Sequence, residues 1–141
     1  MKIVINKCYG GFGLSHDAVM RYGELKGIKL YPEKHPEYPS LTTYWRVPPE
    51  SRLTPLLSGA FYAATQEERI EHNRRYSAQT LYDRTIPRDD PALVQVVEEL
   101  GEKANGNYAS LQVVEVLDDV SWEIDDYDGN ERIAESHRTW G

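Results

Sequence analysis

The sequence predicts an α+β fold: one domain with a mixed or antiparallel sheet and about three helices. Three observations predict it. A short apolar run suited to a strand opens the chain, and others recur near its end. Stretches with helical periodicity and helix start signals lie between them. The last two strand-like runs are joined by a link too short for a crossover, which requires antiparallel pairing. With 141 residues the chain fits one domain, able to bury about two-thirds of its unfolded surface.

Lys2-Ile3-Val4-Ile5-Asn6 reads as the first strand, cut short by the glycine cluster that follows. Ser15 is a good N-cap for a helix over about 16–26, in which Ala18, Val19, Tyr22 and Leu25 recur at three- and four-residue spacing and form one buried stripe. Gly27 ends it as a C′ residue. Ile28–Tyr31 suits a strand, followed by a loop rich in proline (Pro32, Pro36, Pro39). Leu41–Val47 holds the strand formers Thr42, Thr43, Tyr44 and Trp45, and Pro48-Pro49 stops it. Thr65-Gln66-Glu67-Glu68 is a capping box that starts a mostly polar helix over about 66–78.

Asp90-Pro91 supplies an N-cap followed by a proline at the first helical position. Leu93, Val94, Val96, Val97 and Leu100 make the helix apolar over a wide face and place it in the core. After a turn at Asn105-Gly106, Leu111–Val116 and Ser121–Tyr127 form two strands, and their spacing predicts a hairpin across Asp118-Asp119. Asp128-Gly129 then begins a last turn or short helix ending in His137-Arg138-Thr139-Trp140.

Composition narrows the function classes. Residues 1–87 carry 12 Lys and Arg against 9 Asp and Glu; residues 88–141 carry 4 against 14, which together give the net charge of −7. The acidic last third repels a phosphate backbone and argues against general duplex binding, while leaving room for a small phosphorylated ligand. Ten tyrosines and three tryptophans against two phenylalanines mean that many rings carry a polar tip, as at binding surfaces or at the margins of a half-buried sheet. A single cysteine, Cys8, excludes a disulfide framework and a cysteine zinc site. The opening apolar stretch is too short for a signal peptide or membrane span, and no later segment reaches that length. Both point to a cytoplasmic protein without membrane contact.

The strongest local feature is Cys8-Tyr9-Gly10-Gly11-Phe12-Gly13-Leu14-Ser15, a glycine loop between a strand and a helix. Backbone N–H groups there can cradle an anion. A dinucleotide fingerprint starting at Gly11 would need glycine where His16 stands, and no Gly-Lys-Ser/Thr ending marks a P-loop. The loop therefore reads either as an anion cradle or as a tight turn whose glycines take positive φ. Asp125, Asp126 and Asp128 invite a metal, but an EF-hand starting at Asp126 would put Glu131 in place of the required glycine and His137 in place of the bidentate glutamate. They read as a solvated turn.

Among the cations, Arg138 and Arg88 are candidates to neutralise a ligand. His137-Arg138-Thr139-Trp140 either binds the ligand or pins the tail to the core. Tyr9, Phe12, Tyr44 and Trp140 are candidate stacking rings. Strand alternation puts Trp45 opposite Tyr44 and Arg46, so those three do not share a face. No nucleophile elbow, His-Glu-x-x-His or paired-histidine metal motif occurs, so no catalytic residue, metal or cofactor is expected.

The segments MKIVINKCYGGFGLS and WEIDDYDGNERIAESHRTW resemble a family of small proteins of tailed phages and prophages, as does the stretch from Ile86-Pro87-Arg88-Asp89-Asp90-Pro91 through Val116. The resemblance covers about residues 1–27 and 86–141 and leaves 30–85 as a variable, insert-like segment. By looser analogy in size and in aromatic and arginine content, the chain is similar to phage anti-defence sponges. These are non-enzymatic oligomers that sequester nucleotide signals such as cyclic nucleotides or cyclic ADP-ribose isomers. The analogy implies a homodimer or higher oligomer that holds a small nucleotide-like ligand through Tyr9, Gly10, Gly11, Phe12, Gly13, Tyr44, Arg88, His137, Arg138 and Trp140. Two other functions compete: a protein-interaction module using the acidic surface of 115–131, and a small metal-dependent hydrolase or nuclease using Asp125, Asp126 or Asp128.

Overall fold

The structure is a computed structural model that describes residues 1–35, 37–38, 41–53, 58–118 and 120–136. Its elements run β1 (Lys2–Asn6), α1 (His16–Lys26), β2 (Tyr31–Lys34), β3 (Thr42–Trp45), α2 (Ser58–Ala63), α3 (Gln66–Gln79), β4 (Thr80–Leu81), α4 (Pro91–Leu100), β5 (Leu111–Glu115), β6 (Ser121–Tyr127) and β7 (Asn130–Ser136). The fold class is α+β. In place of one sheet, the strands of the described residues form three small antiparallel ones, and α2 is a fourth helix beyond the three expected. No helix among the described residues is long and apolar enough to cross a membrane.

The chain divides into two compact units, residues 1–27 with 83–141, and residues 28–82. In the first unit, β1 pairs with β5 over Lys2↔Glu115 to Asn6↔Leu111, and β6 pairs with β7 over Ser121↔Ser136 to Tyr127↔Asn130. The hairpin expected between β5 and β6 is therefore displaced by one strand. Asp128 and Gly129 both take positive φ (49° and 88°), as the central residues of a two-residue type I′ turn do. That turn reverses the chain directly into β7, where the sequence suggested a turn or short helix.

Strand alternation sorts the core. Ile3 and Ile5, on one face of β1, pack with Val116 and Val120 and with the half-buried Val114, Trp122, Ile124 and Ile133. Val4 lies on the other face, fully buried, and Lys2 on that same face reaches Glu98 of α4 at 3.0 Å. This places α4, with buried Leu93, Val94, Val96 and Val97, over it. Helix α1 starts at Ser15, whose Oγ accepts from Ala18 N–H, and ends at Gly27 in the left-handed region. It is tied to α4 where Tyr22 O–H donates to Asp90 Oδ2 at 2.7 Å, while the other Asp90 oxygen caps α4 at Ala92 N–H.

In the second unit, β3 lies between β2 and β4. Trp45 is its most buried side chain among the described residues, with the Tyr76 ring edge-on at 5.5 Å and the Arg52 guanidinium 5.0 Å from its centroid. Arg52 is paired with Glu33. Helix α3 starts at the expected cap, Thr65, and buries no residue, in keeping with its polar sequence.

Candidate functional site

The glycine loop lies in the first unit, and close packing demands glycine at Gly10 and at two residues that press on the loop, Gly106 and Gly129. A Cβ on Gly10 would collide with Tyr108 Cβ and stand 2.5 Å from the Tyr108 carbonyl oxygen. A Cβ on Gly129, in the β6–β7 turn, would collide with Gly11 N and stand 2.7 Å from Gly11 Cα. Gly106 donates its N–H to the Gly13 carbonyl at 2.9 Å, and a Cβ there would stand 2.9 Å from Gly13 C. Two distant segments, residues 106–108 and the β6–β7 turn, thus lie directly on the loop backbone. Only Gly11 within the loop takes positive φ, at 94°.

Beneath this packing lies a buried polar node. Asn6, fully buried, donates from Nδ2 to the carbonyls of Cys8 (2.8 Å) and Gly129 (2.6 Å), and its Oδ1 accepts from Ser110 N–H (2.8 Å). This uses both side-chain donors and joins the glycine loop, the β6–β7 turn and the approach to β5. Glu131, 4% exposed, accepts from Asn6 N–H at 2.8 Å and from both terminal nitrogens of Arg88 at 2.5 and 2.9 Å. The Arg88 guanidinium lies 3.8 Å from the centroid of the Phe12 ring.

Above the node opens a cleft of about 570 Å³ lined by Lys7, Tyr9, Asp125, Asp126, Tyr127, Asn130, Glu131 and Arg132. Tyr9 and Tyr127, both strongly exposed, meet edge to face with centroids 6.3 Å apart. The acids of the cleft already have partners. Asp125 pairs with its cross-strand neighbour Arg132 at 3.3 Å, Asp126 accepts the Gly129 N–H at 2.7 Å, and Glu131 belongs to the buried node. Lys7 makes no side-chain hydrogen bond or ion pair among the described residues and presents its ammonium free. Among the described residues, no group of three or more His, Cys, Asp or Glu side chains is placed to hold a metal ion.

Of the site residues expected from sequence, the first unit brings together Tyr9, Gly10, Gly11, Phe12, Gly13 and Arg88. Their roles divide. Tyr9 is open to a ligand, whereas Phe12 is buried with the Arg88 guanidinium over its ring, and Arg88 is held by Glu131. Tyr44 belongs to the other unit, and His137, Arg138 and Trp140 lie outside the described residues. Lys7, Asn130 and Arg132 were not singled out from the sequence. The signal that could have found the last two is Asp128-Gly129 read as a hairpin turn, which sets Tyr127 opposite Asn130 and Asp125 opposite Arg132.

No protein-family model, curated protein or solved structure matches this chain.

Proposed function

We propose that the protein binds and sequesters a small nucleotide-like ligand in the Tyr9–Tyr127 cleft without turning it over. The observation that carries this reading is the pair of exposed rings beside an uncommitted Lys7. A flat base can lie on one ring and meet the edge of the other, while the ammonium balances a phosphate charge. Binding without turnover is favoured because each carboxylate of the cleft is engaged in holding the hairpin or the buried node, so none is poised as a free base. With the resemblance to phage proteins, this reading makes the chain an anti-defence protein. It would act as a homo-oligomer in the host cytoplasm and remove a cyclic nucleotide or cyclic ADP-ribose signal.

Incubating the purified protein with a panel of cyclic nucleotides and ADP-ribose derivatives, removing free compound, denaturing by heat and identifying the released material by mass spectrometry tests the proposal. Intact compound in near-stoichiometric amount is the expected result, and converted product would make the protein an enzyme instead. A second reading, docking to a basic host protein, is favoured by the exposed acids Glu115, Asp118 and Glu123. Salt-sensitive capture of a host protein, with no compound retained, would support it over the first.

A further inference from the structure

A second cation beside Lys7 would strengthen the hold on a phosphorylated ligand, and the sequence offers Arg138 and Arg88 for that role. The fold uses Arg88 otherwise. Its guanidinium makes a two-pronged pair with Glu131, covers Phe12 and is only 16% exposed, so turning it toward a ligand would strand a buried carboxylate. Four residues earlier stands an arginine in the opposite condition. Arg84 is exposed and makes no hydrogen bond or ion pair among the described residues. Its place is nevertheless defined. It sits in the short 3-10 turn Asp83–Thr85, and Asp83 Oδ2 accepts the Leu14 N–H at 2.9 Å, which fastens that turn to the end of the glycine loop. The Arg84 Nη2 then lies 3.1 Å from the point where a Cβ of Gly11 would be. The guanidinium fork thus lies beside the one loop residue with positive φ, with its donors unspent among the described residues.

We infer that Arg84 is a second anion-binding side chain beside Lys7, placed at the glycine loop, and holds the phosphate or pyrophosphate group of the ligand at Gly11. The inference rests on the nucleotide-like ligand proposed above and assigns its charged end. Glycine at position 11 leaves the space that the guanidinium and the anion share. A planar fork matches phosphate oxygens in pairs, so a lysine at position 84 would keep the charge and lose the paired contact.

Titration of 15N-labelled protein with inorganic pyrophosphate, followed by amide and arginine Nε resonances, tests this directly. The wild type should show saturable shifts at Gly11, Phe12 and the Arg84 Nε. Arg84→Gln should weaken pyrophosphate binding at least tenfold with an unchanged melting temperature, and Arg84→Lys should fall between the two. Unaltered pyrophosphate binding in Arg84→Gln overturns the inference, as do shifts confined to Lys7 and Arg132. So does a collapse of folding in both variants, which would make Arg84 a structural residue. Failure of the ligand reading is separate: it shows as no compound retained by the wild type, whereas a retained compound with no pyrophosphate effect at Gly11 removes only the role of Arg84.

Discussion

Arg88 and Glu131, 43 residues apart in sequence, form a two-pronged ion pair that closes the outer edge of β1. The carboxylate takes the outward N–H of Asn6, the Arg88 carbonyl takes the outward N–H of Val4 at 2.9 Å, and the guanidinium reaches the Val4 carbonyl at 3.4 Å. With β5 on the other side, β1 makes hydrogen bonds along both edges, although it pairs with only one strand. An open edge with buried, unpaired N–H groups would be costly and prone to wrong pairing. Removing either partner leaves the other charge buried. Glu131→Ala should therefore lower the unfolding free energy by about 3–5 kcal/mol and Arg88→Ala by about 3 kcal/mol. Urea unfolding at constant m-value measures both, and a loss under about 1 kcal/mol for Glu131→Ala would show that the edge does not depend on the carboxylate.

The contact of Gly129 with Gly11 separates steric need from conformational need. Gly27 also has positive φ (70°), but a Cβ there meets nothing within 4 Å. Gly27→Ala should cost about 1 kcal/mol, the strain of a left-handed alanine, while Gly129→Ala adds a collision with backbone and should cost about 3 kcal/mol. Equal costs, read from thermal or urea unfolding, would mean that the turn can move off the loop.

Acid should release the tie between α1 and α4. Burial pushes the Asp90 carboxyl up, but hydrogen bonds from Tyr22, the Ala92 N–H and Lys26 outweigh it and hold the carboxyl below its ordinary 3.8. A depressed carboxyl contributes stability that is complete above its unfolded value and is lost as pH falls through the folded one. Between pH 4 and pH 2 the wild type should therefore lose stability more steeply than Asp90→Asn. Urea midpoints collected from pH 7 to pH 2 give the comparison, and parallel curves would refute it.

Tyr9 and Tyr127 should act on binding and leave folding alone. Both rings are mostly in solvent, so each alanine variant should melt within about 0.5 kcal/mol of wild type. Loss of a stacking ring should weaken ligand binding about tenfold or more. Calorimetry with whichever compound the protein retains provides the numbers. Unchanged affinity in both variants would move the ligand out of this cleft.

Trp45 anchors the second unit with its indole Nε1 buried and lacking a hydrogen-bond partner among the described residues. Trp45→Ala should cost about 3–5 kcal/mol through the cavity it leaves. Trp45→Phe should cost only about 1 kcal/mol, because losing an unpartnered N–H offsets part of the lost packing. A phenylalanine variant as damaged as the alanine variant would indicate that the N–H has a partner in solution.

Elements whose signals are local were legible in the sequence. Ser15 and Gly27 bound α1, Thr65 starts α3, and Asp90-Pro91 starts α4, because a cap and its hydrogen-bond partner lie within a few residues. The apolar spacing of α4 likewise indicated its buried face, since a helix repeats every 3.6 residues whatever it packs against. The Asp128-Gly129 turn is also written locally, but its first residue suits a helix cap as well as a hairpin turn, so the strand β7 that follows it is not legible there.

Only the tertiary structure decided the partner of β5, which is β1 more than a hundred residues away, and hence the hairpin of β6 with β7. It alone turned Arg88 from a candidate ligand cation into half of a buried pair, left Arg84 uncommitted at Gly11, and gave Gly10, Gly106 and Gly129 a packing reason. Such pairings depend on which distant surfaces exclude water from one another. Backbone propensity and side-chain periodicity act over one or two turns of chain, so they specify the pieces and the faces they bury but not which buried face meets which.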